Sequence, residues 1–227
     1  MEFACINKNN IFHRYVLPDA PIHPKATAVT GLHVASGQLF HKKTPVVSVD
    51  IKTCLCDFVI WLQSFHNPLL VCHNGKCFDS IILVKAFLKH PECGNLEDHI
   101  SGFVDSLHVF KDVLPGRTTY RLESLVSESM AKSYDAHSAT EDVKILQSLT
   151  TFHNVSEDIL LKHSFNVHFV KNSIDYRLKS GECLTSLQPL QNCISSYMLK
   201  KIAHSGLNYH HLQLAFKRGG AEGIENI

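Results

Sequence analysis

The stretch that most constrains this chain is Leu69–Phe87. Four apolar residues, Leu69–Cys72, give way to the polar His73-Asn74-Gly75, and a helical stripe of Phe78, Ile81, Ile82, Val84, Ala86 and Phe87 follows. A short apolar run without polar alternation reads as a buried parallel strand, and the switch to helical period after a tight loop makes a β–α unit. The polar loop then lies at the carboxyl edge of a sheet, where open α/β folds bind ligands. Asn74 falls on that loop and Asp79 in the first turn of the helix.

The flanking sequence agrees with an α/β layout. Glu2–Asn7 and Ile11–Leu17 are β-prone runs separated by Lys8-Asn9-Asn10, a hairpin signal. Pro18, Pro21 and Pro24 then hold the backbone extended, and Pro24 opens a short helix that Gly31 closes. From about Val49 to Phe65, the spacing of Ile51, Leu55, Phe58, Val59 and Leu62 predicts a helix capped by Asp50. Phe103-Val104 is a further short strand ended by Asp105-Ser106, and Tyr120–Met130 and Ala139–Phe152 are helices. Strands interleaved with helices over residues 2–152 predict a three-layer α/β domain.

After Phe152 the texture is helical, with no convincing strand, so residues 153–227 form a helical C-terminal extension. Between Cys183 and Ala221 there is no acid, while Lys200, Lys201, Lys217 and Arg218 accumulate among Tyr197, Tyr209 and Phe216. Such a face touches phosphates or protein partners, or is simply a solvated helix surface. Gly206 and Gly219 are expected to stop helices over Ile194–His204 and Asn208–Lys217.

Charge and cysteine content narrow the function classes. The formal net charge is only +1, so nucleic-acid contact must come from a local patch and not a global field. The 8 cysteines are dispersed and include no CxxC pair, which disfavours zinc and redox roles. No hydrophobic run is long enough to span a bilayer and Met1 does not begin a signal peptide, so the expected setting is a reducing, intracellular compartment without membrane contact.

Tyr134–Val143, YDAHSATEDV, holds the second polar cluster. If the whole run were helical, His137 and Asp142 would stand ~140° apart. They share a site only if His137 precedes the helix and Asp142 lies in its first turns, with Asp135 or Ser138 as the cap. Asp79, His137 and Asp142 then project from loop-to-helix junctions at one edge. Carboxylates gathered there repel one another unless a hard cation such as Mg²⁺ is bound. A histidine beside them suits metal-assisted hydrolysis, with His137 taking a proton from water. Taken singly, these are also ordinary first-turn acids and a loop histidine.

In order, Phe12–Pro18, Ala26–Gly31, His73–Asp79, Asp105–Leu107 and His137–Asp142 resemble the motifs of the DEDDh branch of DnaQ-like 3′–5′ exonucleases, and the TREX-like members in particular. The acid-free tail resembles the exonuclease-like C-terminal region of the promyelocytic leukaemia proteins and their fish relatives. The resemblance implies an RNase H-like three-layer fold and a nuclear enzyme acting on single-stranded or 3′-terminal nucleic acid. Asp79 and Asp142 would be ligands of a two-metal Mg²⁺ site, with His137 as general base. Asn74 and Phe78 would seat the terminal nucleotide, and Asp105 would act as a cap.

The family's opening Asp-x-Glu motif, on its first and central strand, would lie upstream of Met1. Glu2 matches a structural position on the second strand. Without the central strand, the Glu2–Leu17 hairpin has no neighbour joining it to the Leu69 strand. The expectation is therefore a fragment of a longer exonuclease, with an inactive binding module as the alternative.

Overall fold

A computed structural model of the chain describes residues 1–134, 136 and 138–226. Two compact units divide within one helix, the first ending at Val170 and the second starting at Lys171. The first unit thus continues 18 residues past Phe152, the difference between 170 and 152. Among the described residues no helix is long and apolar enough to cross a membrane.

The first unit is a mixture of helices and small sheets. Strands β1 (Glu2–Asn7) and β2 (Asn10–Val16) form the expected antiparallel hairpin, with Glu2 opposite Tyr15 and Asn7 opposite Asn10. Lys8 takes the left-handed conformation that lets so short a turn close. Helix α1 (Pro24–Thr30) starts at its proline and ends at Gly31, whose φ of 70° and N–H bond to Thr27 O make the expected C-cap.

Next comes a meander absent from the sequence reading, β3 (Leu32–Ala35), β4 (Gln38–His41) and β5 (Thr44–Pro45). Its signal was Ser36-Gly37, a two-residue turn with both φ angles positive. Strand β6 (Ser48–Val49) then runs parallel to β2.

Helix α2 (Ile51–Leu62) is capped by Asp50, whose carboxylate accepts from Thr53 N at 2.8 Å. Of the stripe predicted for it, Leu55, Phe58, Val59 and Leu62 are buried, and Ile51 in the first turn is half-buried. Phe58 meets Phe3 at 4.8 Å, Phe12 at 5.2 Å and Trp61 at 5.8 Å between ring centroids, which joins hairpin and helix through aromatic contacts.

The β–α unit is found as β7 (Leu69–Cys72) and α3 (Asp79–Lys89), although β7 is only half-buried. Two single 3₁₀ turns, Pro91–Cys93 and Leu96–Asp98, lead to β8 (Gly102–Asp105), parallel to β7 and buried throughout. Helices α4 (Ser106–Val113), α5 (Leu122–Met130), α6 (Ala139–Phe152) and α7 (Glu157–Lys162) follow. Phe110, Leu125, Val126, Leu146 and Leu149 make the core that α4, α5 and α6 share. The absence of any strand after Phe152 is corrected by β9 (Ser164–Phe165), antiparallel to β8. A pair of residues is too short to carry an alternation that sequence inspection can detect.

The strands form separate sheets ordered β1-β2-β6, β3-β4-β5 and β7-β8-β9. The hairpin and the β7 strand are therefore not hydrogen-bonded to one another, as expected. Cys5 of β1 and Cys72 of β7 are nonetheless near enough to act on each other electrostatically.

Helix α8 (Val167–Ser186) runs from the first unit into the second. The second unit continues with α9 (Ser196–His204) and α10 (Tyr209–Glu225), its core being Leu187, Leu199 and Ala203. Asn208 caps α10 through a reciprocal capping box with His211. The expected stop at Gly219 is a kink, where Gly219 and Gly220 leave helical geometry and the helix resumes.

Candidate functional site

The loop after β7 is shaped by what its residues cannot avoid. Asn74 adopts φ 59°, a left-handed conformation that asparagine tolerates better than most residues. A Cβ on Gly75 would lie 1.9 Å from Cys72 Sγ, so this position admits glycine alone without a rearrangement. Gly75 O accepts from both Ser80 N, at 3.1 Å, and Ser80 Oγ, at 2.7 Å, which ties the loop to the first turn of α3.

Asp105, at the end of β8, braces the loop from beneath. It is 1% exposed, and its carboxylate accepts from Leu107 N and Lys76 N, each at 3.1 Å. The first bond caps α4, in agreement with the capping role expected for it. The second fixes the middle of the Asn74–Asp79 loop. His108 Nδ1 lies 3.6 Å from the same carboxylate.

On this frame Asn74, Phe78 and Asp79 face solvent, and Phe78 is 62% exposed. The Asp79 carboxyl still sits among enough protein atoms that burial, and then the charges of Asp105 and Asp142, push its pKa above the usual carboxylate range. Asp142 lies in the first turn of α6, its N–H bonded to Ser138 O at 2.8 Å. Its carboxylate also accepts a hydrogen bond from the Tyr134 hydroxyl. Burial, then that carboxylate, pushes the Tyr134 phenol well up, so it is a fixed donor at neutral pH. Asp79, Asp105 and Asp142 thus share one electrostatic neighbourhood. His137, the expected general base, and Asp135, one of the two expected caps, lie outside the described residues.

Ser138 is the N-cap residue of α6, but it makes no side-chain cap bond. Glu2 takes that part: its Oε2 accepts from Ala139 N at 3.0 Å across 137 positions, while Oε1 meets His13 Nε2 at 3.0 Å. A carboxylate at a helix N-terminus satisfies a free N–H and opposes the positive end of the dipole. Farther along α6, Gln147 brackets Lys8 by accepting from its N–H at 2.9 Å and donating to its carbonyl at 3.1 Å. The helix is therefore pinned to the hairpin at two places.

His73 opens the same motif, with no role of its own expected from the sequence. Its Nε2 lies 2.8 Å from Tyr120 O and its Nδ1 3.0 Å from Ser106 Oγ. A carbonyl only accepts, so Nε2 carries the proton and the neutral ring accepts from the serine at Nδ1. Burial lowers its pKa, against the opposing influence of the Tyr120 carbonyl, Asp105 and Asp142. It is a neutral strut, and its signal was its position as the first residue after the strand.

A divalent cation at this edge would be held by Asp79 and Asp142, the carboxylates that the resemblance assigns to it. The charges of Asp105 and Asp142 that act on Asp79 are of the sign such a cation would offset. Yet among the described residues no group of three or more His, Cys, Asp or Glu is placed to hold a metal ion. Two carboxylates are too few for a pair of Mg²⁺ ions, so the described donors do not make the expected site.

Comparison with known proteins points to one set of relatives. Residues 183–227 match the family described as PML, C-terminal domain. The chain is 22% identical to Protein PML of Mus musculus over 180 residues, covering 78% of this chain and 19% of that protein. It is 24% identical to Protein PML of Homo sapiens over 145 residues, covering 63% of this chain and 15% of that protein. The chain thus spans less than a fifth of the length of the curated relatives it matches. The similarity expected for the tail is present, and it extends over most of the chain.

Proposed function

We propose that this chain is a PML-related, exonuclease-like module that seats the 3′ end of a single-stranded nucleic acid at the carboxyl edge of β7 and β8, and binds that end without cutting it. The antiparallel β1–β2 pair, the parallel β7–β8 pair and α6 pinned along the hairpin support an RNase H-like arrangement for the first unit. The second unit, which contains the segment matching the PML C-terminal domain, is the surface for protein partners, and the setting is nuclear.

One observation carries the reading: a rigidly braced loop presents the exposed ring of Phe78 beside Asn74 and the Asp79–Asp142 neighbourhood. An exposed ring stacks on a base whatever its identity, for about 1–3 kcal/mol. Acidic groups repel phosphate but accept from hydroxyls. The carboxylates therefore suit the sugar hydroxyls of a terminal nucleotide, and the phosphates lie away from them. Binding favours a free 3′ hydroxyl over a 3′ phosphate.

Fluorescence anisotropy with 5′-labelled oligonucleotides tests this. The expected result is tighter binding of the 3′-hydroxyl strand than of its 3′-phosphate counterpart, with Phe78→Ala weakening it by roughly tenfold. Equal affinity for both strands, or no effect of Phe78→Ala, sinks the proposal. A second reading, Mg²⁺-dependent hydrolysis with His137 as base, draws on the gathering of the Asp79, Asp105 and Asp142 carboxyls in one electrostatic neighbourhood. Nucleotide release that requires Mg²⁺ and is lost in Asp142→Asn would select it.

A further inference from the structure

We propose that Cys56 and Cys93 are a modification site, a thiol pair that peroxide converts reversibly into a disulfide. Cys56 lies in α2, and Cys93 ends the 3₁₀ turn that directly follows α3. Their sulfur atoms are 2.6 Å apart across 37 positions, within a small shift of the ~2.05 Å of a disulfide bond. The pair is also held in place, because Cys93 Sγ donates to Lys52 O at 3.4 Å, one helical turn before Cys56. Cys54, two positions before Cys56, is completely buried in the core, so the two cysteines of α2 face different surroundings.

Accessibility divides the roles. Cys56 is half-buried and reachable, whereas Cys93 is 7% exposed. Burial, followed by the neighbouring Cys56 sulfur, pushes the Cys93 thiol up to about 11, which leaves it protonated when an oxidant arrives. The Cys56 thiolate attacks hydrogen peroxide, the O–O bond breaks, and Cys56 becomes a sulfenic acid with release of water. The Cys93 sulfur then attacks the Cys56 sulfur, the S–O bond breaks, and a second water leaves with the thiol proton. Two thiols are oxidised and one peroxide is reduced to two waters.

The bridge closes a loop that contains β7, the Asn74–Asp79 loop and α3. It restrains the unfolded chain and ties the end of α3 to α2. In a reducing compartment, an accessible thiol beside a resolving partner is the arrangement of a redox-responsive pair and not of a permanent staple.

Peptide mapping of the full chain tests the assignment. After brief hydrogen peroxide and blocking with N-ethylmaleimide, the expected product is a cross-link between tryptic peptides Thr53–Lys76 and His90–Lys111, two hydrogens lighter than their sum and reversed by dithiothreitol. Cys54 and Cys72 share the first peptide, so fragmentation of the linked species locates the bond. Cys56→Ser abolishes the link, as does Cys93→Ser from the buried side. The melting temperature of the unsubstituted chain rises on oxidation and returns with reductant. The proposal is overturned if both thiols stay alkylatable while the exposed Cys77 and Cys193 oxidise. It is equally overturned if the link uses Cys54 or Cys72, or survives in Cys56→Ser.

Discussion

At the β7–α3 junction the braces span 29 positions, from Asp105 to Lys76, and 47, from Tyr120 to His73, whereas the first turn of α6 is capped by Glu2 across 137. The first junction is shaped by its own strand, loop and helix, and is completed by the adjacent parallel strand and the segment from Ser106 to Tyr120 that follows it. The second exists only when the hairpin has docked against α6. Candidate residues with similar chemistry, Asp79 and Asp142, are therefore positioned by devices of different reach. Loosening the hairpin should uncap α6 and displace Asp142 while the Asn74–Asp79 loop keeps its shape.

The largest expected effect comes from Asp105→Ala. It leaves the Lys76 and Leu107 N–H groups without their acceptor and should cost about 3 kcal/mol. Hydrogen exchange should speed up at those two amides and not at Ala139. If Ala139 loosened equally, the two junctions would be one cooperative unit and the contrast would fail.

Gly75→Ala should cost about 2 kcal/mol, because the new methyl group overlaps Cys72 Sγ. Adding Cys72→Ala removes the nearer obstructing atom and leaves the Cys72 Cβ at 2.9 Å, so denaturant melts of the double variant should recover part of that loss. Strictly additive losses would mean that the clash is not the cause.

Glu2→Gln keeps an acceptor for Ala139 N but removes the charge from the helix end. A loss of about 0.3–1 kcal/mol is expected, screened by salt and seen as faster exchange in the first turn of α6. A matching change at Lys76 or Ser80 would contradict the separation of the junctions.

The smallest effect is a pH dependence. The folded pKa of Asp79 is raised, so the folded state holds this proton more tightly than the unfolded one. Stability is fully present below the unfolded pKa and is lost as pH rises through the folded pKa. Asp79→Asn removes that loss. Urea melts from acid to neutral pH should show the variant gaining on the parent as pH rises, then levelling off. A pH-independent difference would mean that the carboxyl is not perturbed.

Much of this was readable from short-range pattern. The hairpin, the Gly31 stop, the Asp50 cap and the strand–loop–helix at Leu69–Phe87 all depend on residues a few positions apart. The Ser36-Gly37 turn was readable too, but four-residue strands on either side made a weak alternation. His73 was hidden because its partners, Ser106 and Tyr120, are supplied by later elements.

What the sequence determined by itself were most of the helices, the hairpin and the β7 and β8 strands, and the order in which they bring Asn74, Phe78, Asp79 and Asp142 to loops and helix starts. Caps, turns and hydrophobic period act within a turn or two of the chain, so their signals survive in the linear string. Only the tertiary structure decided that Glu2 caps α6, that Asp105 supports the Lys76 loop and that Cys56 meets Cys93. Such pairs become neighbours through packing, and nothing in the local spacing of either partner marks the other.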